Sequence, residues 1–346
     1  MLDLLTIAGI ALKTSLLMIA TAALSFALRR QPAAFRHLLW TSALALSLLM
    51  PLAVLYVPEV APTLPLPRLR GREWEEAASA PILLWLWIAG SLCCLARELL
   101  SNIGLARWLR RARPLESARW MATLASLDCK VRALESPHIA SPCTWGLLTP
   151  VLLLPSAGDA WSEAARRSAL LHELAHVGRR DMISALISRL ACVLHWYNPL
   201  VWLAAAHARS LQERACDDAV LRAGAIPSDY AQFLLDVAAR MSGMNRPRRT
   251  SIGMAHSSLR ARIVAILDPQ ARRAQPERSQ ILAACAALFA ITILLGMTSV
   301  ATVPPLPKLP APPAVPAKLP TLPKLPVPPV PVVPPTLPTP PASPTS

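Results

Sequence analysis

His172-Glu-Leu-Ala-His176 sets two imidazoles four residues apart, with a carboxylate directly after the first. On a helix the two histidines share a face and can bind one metal ion, and Glu173 beside them can take a proton from metal-bound water. Zinc is the expected metal: it undergoes no redox change, accepts nitrogen and oxygen donors, and lowers the pKa of bound water toward neutrality. The plain alternative is a surface helix that carries these residues by chance. The segment is apolar enough to be buried, where unpaired histidines and a glutamate would be costly.

A catalytic zinc site needs a third protein ligand, and Glu213-Arg-Ala-Cys-Asp217 offers one. Glu213 is the expected ligand. Asp217, one turn on and on the same face, is expected to hydrogen-bond a ligand histidine and fix its ring. Cys216 competes as a thiolate donor, although a small buried cysteine is its more ordinary reading.

The elements that must position these groups are partly readable. Ser162-Glu163 is a helix start, and the alanine- and leucine-rich run to Val177 has high helix propensity. Before it, residues 146–155 form a short apolar run bounded by glycine and proline, which reads as one or two strands; Pro150 favours an edge position, and an edge near Val151 to Leu154 would suit an extended substrate. Met182 to His207 is apolar but broken by Arg189, His195 and Asn198-Pro199, and reads either as a buried helical hairpin or as a pair that dips into a bilayer. Either returns the chain to the side it left, so that the two motifs can meet. His195 and Tyr197 are candidates by residue type for stabilising an oxyanion, and His195 reads equally as a satisfied polar group in the hairpin.

Composition places these elements at a membrane. The chain of 346 residues is 54% hydrophobic with a mean hydropathy of +0.42, too apolar for an ordinary soluble domain. Four spans are expected at about 4–28, 37–57, 81–96 and 281–303; the third is short, and the rival reading of the first, a signal peptide, would carry its basic residues ahead of the apolar run rather than after it. The expected organisation is a membrane region 1–96, a basic amphipathic connector 97–114 presenting Leu99, Leu100, Ile103, Leu105 and Trp108 to the membrane surface, a globular domain 115–280, the fourth span, and a tail 304–346.

Arg29, Arg30 and Arg36 in the first loop, and the arginine-rich region from Arg97 to Arg278, predict that the globular domain faces the cytoplasm of a bacterial-type inner membrane and that both termini face outward. Much of the formal +15 charge is then the bias of cytoplasmic loops, with membrane lipids as partners. No zinc finger or basic recognition helix points to nucleic acid. The seven scattered cysteines form neither a disulfide framework nor a paired C-x-x-C pattern. More than half of the 36 prolines follow Ala301, with no aromatic or acidic residue among them, which predicts a disordered, polyproline-rich arm outside the membrane that could meet an envelope component.

Four consecutive motifs, His172-Glu-Leu-Ala-His176 with Arg179-Arg-Asp181, Trp196-Tyr-Asn-Pro-Leu-Val-Trp202 and Glu213-Arg-Ala-Cys-Asp217, resemble those of the BlaR/MecR membrane metallopeptidases, the sensor-transducers of beta-lactam resistance and their relatives. Ser141-Pro with Gly146, Pro150 and Leu154-Pro155, and Ser258-Leu-Arg-Ala-Arg262-Ile, are similar to segments that flank the peptidase motifs in that family. The resemblance covers roughly residues 1 to 300. It implies a mainly α membrane protein with four transmembrane helices and a cytoplasmic gluzincin-like α+β domain, one Zn2+ held by His172, His176 and Glu213, Glu173 as general base and acid, and Asp181 and Asp217 in support.

The implied substrate is a cytoplasmic protein such as a transcriptional repressor, or the chain itself, and a homodimer is compatible with the latter. Beyond Val303 there is no S-x-x-K pattern, so the family's covalent sensing of beta-lactams is not carried over. A non-proteolytic transducer that keeps the fold is the alternative, and would be favoured by a missing ligand or base. A transporter is suggested only by the number of spans and by Lys13.

Overall fold

A computed structural model describes residues 4–56, 76–139, 141–243 and 252–297. Three long apolar helices open the chain: α1 (Leu4–Ala27), α2 (Ala33–Tyr56) and α3 (Glu76–Arg111). α3 carries the third apolar run and the basic connector as one continuous helix, along which Leu99, Leu100 and Ile103 are exposed; the side chains of Leu105 and Trp108 lie outside the described residues. Next come β1 (Arg113–Pro114), α4 (Ala118–Ser126), β2 (Arg132–Ser136), β3 (Cys143–Trp145), β4 (Val151–Pro155) and a 3-10 turn. The helices α5 (Glu163–Gly178), α6 (Asp181–Leu194), α7 (Pro199–Arg222), α8 (Pro227–Gly243), α9 (Ile252–Leu267) and α10 (Arg278–Met297) complete the described chain.

Among the described residues four helices, at Ile7–Ala27, Ala33–Val54, Ile82–Arg111 and Arg278–Met297, are long and apolar enough to cross a bilayer. In α1, α2 and α10 the packing has the polarity expected of membrane helices. Lys13, Thr14, Thr21, Ser25, Ser47 and Thr292 are buried, whereas Phe26, Leu49, Trp85, Leu282, Phe289 and Leu294 are exposed. Except for the Thr14 hydroxyl, these buried polar groups find partners within the bundle: Lys13 Nζ donates to the Gly296 carbonyl at 3.3 Å, and the Thr21 hydroxyl to the Leu17 carbonyl at 2.7 Å. Most of the buried polar groups are thus satisfied by protein where no water would reach them. The expected arm at 304–346 lies outside the described residues.

The sheet runs in the order β1-β2-β4-β3, with β2 and β4 parallel and β3 antiparallel to β4. β4 is therefore central and buried along its whole length, which corrects the expectation that Val151 to Leu154 form an open edge. Pro150 lies just before the strand, so it takes no donor out of the ladder. The open edge beside α5 is β3. One face of β4 packs with Trp120, Trp161 and Leu170, where the two indoles meet edge to face with centroids 5.8 Å apart.

Local signals set the site helices. Ser162 caps α5, its hydroxyl accepting from the Ala165 N–H at 3.2 Å, and Glu163 follows in the first turn. Asn198 caps α7 in the same way through Leu200 N–H, with Pro199 in the first turn. The α6–α7 hairpin packs against α2 and joins the same apolar core as α1 and α10.

Candidate metal centre

α5 carries His172 and His176 one turn apart, and α7, running alongside, brings Glu213 to them. His172 Nε2 is 3.5 Å from Glu213 Oε2 and His176 Nε2 is 3.9 Å from Glu213 Oε1. One donor atom from each of the three side chains falls within 4.8 Å of the other two. Two nitrogens and a carboxylate oxygen at this spacing suit a single divalent ion.

Carboxylates hold both rings from behind. His176 Nδ1 is 2.9 Å from Asp181 Oδ2, and His172 Nδ1 is 3.2 Å from Asp217 Oδ1 and 3.0 Å from the Tyr230 hydroxyl. With both Nδ1 atoms engaged, both Nε2 atoms are left to face Glu213. Burial alone would lower the His172 pKa; hydrogen bonds to Asp217 and Glu213 outweigh it and raise the value to about 9. Burial likewise pushes the Glu213 carboxyl up, but His172 and Arg262 overcome this and bring it down to about 2, so it stays an anion.

Asp217 is itself clamped. Arg262 of α9 donates from Nε and Nη2 to its two oxygens, each at 2.7 Å, and the Tyr230 hydroxyl of α8 donates at 2.7 Å. Arg262 Nη1 also reaches Glu213 Oε2 at 3.2 Å. Asp181 is backed differently, by Arg179 Nε at 3.3 Å, and Arg179 Nη2 donates in turn to His37 Nδ1 of α2 at 2.8 Å. A connected set of side chains therefore runs from a membrane helix to a ring of the site.

Cys216, the competing donor by sequence, sits on the other side of His176. Its thiol is 3.3 Å from His176 Nδ1 and 3.5 Å from Asp181 Oδ2, away from the Nε2 atoms that converge on Glu213. Burial, followed by the Asp181 carboxylate, pushes this thiol far up and keeps it protonated. It forms a second possible donor group with His176 and Asp181, but one whose donors already hydrogen-bond one another.

Glu173 is buried on the same helix and accepts a 2.8 Å hydrogen bond at Oε2 from the Thr144 hydroxyl of β3. His172, Glu173, His176, Asp181 and Glu213, with Tyr230 and Arg262, border one cavity of about 500 Å³, walled by Cys143 and Thr144 on the strand side and by Phe233, Leu234 and Leu259 on the helix side. The family description BlaR1 peptidase M56 matches residues 68–266, a stretch that contains the whole cavity. The chain belongs to the M56 peptidases.

This M56 peptidase is 29% identical over 143 residues to the regulatory protein BlaR1 of Bacillus licheniformis, a match that covers 40% of this chain and 24% of the relative. It is 23% identical over 158 residues to the methicillin resistance mecR1 proteins of Staphylococcus aureus and Staphylococcus epidermidis, covering 43% of this chain and 27% of each relative. The matched stretch thus spans about a quarter of the length of these relatives. Together with the four apolar helices, the comparisons support a membrane member of the BlaR/MecR-type M56 peptidases.

The structure brings together His172, Glu173, His176, Glu213, Asp181 and Asp217. It does not bring His195 and Tyr197 to the cavity: His195 is fully buried in the hairpin, with Nε2 2.9 Å from the Ser47 carbonyl and Nδ1 3.4 Å from the Tyr197 hydroxyl. Three contributors escaped the reading of sequence as site residues. Arg262 lies in a segment flagged by resemblance but without a role, while Tyr230 and Thr144 carry no local signal, since only tertiary packing brings them to His172 and Glu173.

Proposed function

We propose that the chain is an integral-membrane zinc endopeptidase of gluzincin type, in which His172, His176 and Glu213 hold one Zn2+ and Glu173 is the general base. The observation that carries this reading is the convergence of two oriented Nε2 atoms and a carboxylate beside a buried glutamate in one cavity. A bound zinc ion would acidify a water and polarise the scissile carbonyl. Glu173 takes the proton of the attacking water on its carboxylate and passes it to the leaving amine as the C–N bond breaks, so that the glutamate ends as it began. The Thr144 hydroxyl holds Oε2, which leaves Oε1 as the face of the carboxylate that moves the proton.

The open edge of β3, next to Glu173, offers backbone groups to an extended segment of substrate, which would allow varied side chains to be accepted. In keeping with its regulatory relatives, the substrate is a cytoplasmic protein such as a repressor, or the chain itself. The test is the metal content of detergent-purified protein with self-cleavage followed on the same samples. Wild type is expected to hold one zinc, Glu213→Ala to lose it, and Glu173→Ala to keep it while cleavage stops. A wild-type protein that binds no zinc defeats the hydrolytic reading.

A further inference from the structure

Between Met182 and Ala206, the α6–α7 hairpin is built inside out by the standard of a protein in water. Its exposed residues are all apolar, Ile183, Leu186, Leu190, Pro199, Leu203 and Ala206, whereas His195 and Asn198 are buried. α1, α2 and, past its first turn, α10 show the same inversion. We propose that this hairpin is a re-entrant membrane element, with its tip at residues 195–198 near the centre of the bilayer and its outer face against lipid acyl chains. The proposal rests on α1, α2, α3 and α10 crossing the membrane.

Depth follows from hydrogen bonds. The charged end of the bundle is marked by Ser25, which accepts from Arg36 Nε at 3.3 Å and from Trp40 Nε1 at 3.1 Å. At the tip, Asn198 Nδ2 donates to Ser15 Oγ at 3.0 Å, and His195 Nε2 meets the Ser47 carbonyl at 2.9 Å. At 1.5 Å per residue, Ser15 lies about 15 Å along α1 from Ser25, and Ser47 about 15 Å along α2 from His37. That is about half of a hydrocarbon core roughly 30 Å thick.

Non-helical backbone survives at such depth only where protein satisfies it. Here it does: Trp87 Nε1 of α3 donates to the Leu194 carbonyl at 3.1 Å, Trp202 Nε1 to the Trp196 carbonyl at 3.0 Å, and Trp196 Nε1 to the Trp87 carbonyl at 3.2 Å. Trp196 can reach α3 because residue 90 is glycine; a Cβ there would collide with the indole. The cation of the hairpin, Arg189, lies about 9 Å nearer the charged end than His195 by helical rise. It pairs with Glu98 at 3.7 Å and Asn102 at 3.3 Å. The turn that follows His176 sits at the level of His37, so the metal centre lies at the bilayer surface and a substrate must present its cleaved segment there.

The test uses the full chain in liposomes containing a phosphatidylcholine with a diazirine at the end of its acyl chain, which reports the bilayer centre. After photolysis, adducts are mapped by mass spectrometry. Adducts between Leu190 and Leu203 at yields comparable to those on α2 and α10 are expected. Adducts on α2 and α10 with none in the hairpin overturn the proposal while leaving the spans intact. Their absence from α2 and α10 as well defeats the membrane-span reading, and the proposal with it.

Discussion

At the scale of residues, the two metal-facing imidazoles are fixed by carboxylates that are themselves fixed in unlike ways. Asp217 is clamped by Arg262 and Tyr230, both within the globular part, whereas Asp181 is backed by Arg179 and so by His37 of a membrane helix. Loss of either carboxylate should weaken zinc binding on the order of 10- to 100-fold, as for other partners that orient a ligand histidine. Asp181→Asn and Asp217→Asn are therefore expected to bind zinc less tightly in competition with a chromophoric chelator, while Cys216→Ser, which alters a protonated thiol behind His176, keeps it. His37→Leu removes the acceptor that steadies Arg179 and should cost less than Asp181→Asn. His37→Asn places an oxygen near the former Nδ1 and should restore the affinity. Equal binding by the leucine variant and wild type would show that the link to α2 does not tune the site.

At the scale of elements, the same turn decides whether the parts meet. α5 ends at Gly178 and α6 begins at Asp181, and the chain reverses because Arg180 takes the left-handed conformation, with φ at 54°. A residue with a Cβ pays about 1–2 kcal/mol there, and a β-branched one is placed worst. Arg180→Val should melt at a lower temperature than wild type and Arg180→Gly at the same or a higher one, both read by thermal unfolding in detergent; a valine variant as stable as the glycine one would show that the turn is not strained. The sequence makes α5 legible because its cap and its His-Glu-x-x-His spacing are local. The position of β4 was not legible: Pro150 suggests an edge, yet the order of strands depends on β3 folding back at Gly146, whose φ of 112° suits glycine alone. Nor could periodicity choose between a buried hairpin and a membrane one, because both are apolar; only the partners of His195 and Asn198 give the depth.

At the scale of the whole molecule, charge and packing converge on one end of the bundle. Arg36 of α2 meets Ser25 of α1 there, and Ser42 of α2 lies 3.3 Å from Cys285 of α10, so the start of α10, with Arg272, Arg273 and Arg278 around it, lies toward the same end as the start of α2. The turn between α5 and α6, next to the metal centre, is also at that end through Arg179 and His37. Basic residues gathered at one end favour a cytoplasmic position for it, since positively charged loops resist translocation. A fluorescent protein fused after Gln270 should therefore fold and fluoresce in bacterial cells, and alkaline phosphatase at the same point should be inactive. A phosphatase fused after Thr302, beyond α10, should be active, because one span separates the two positions. The opposite pair of results would put the metal centre outside the cell, where a cytoplasmic repressor could not be its substrate, while the zinc chemistry would stand unchanged. Activity of neither phosphatase fusion would show instead that α10 does not cross, and would take away the anchor that sets the end of the bundle on which Arg278 lies.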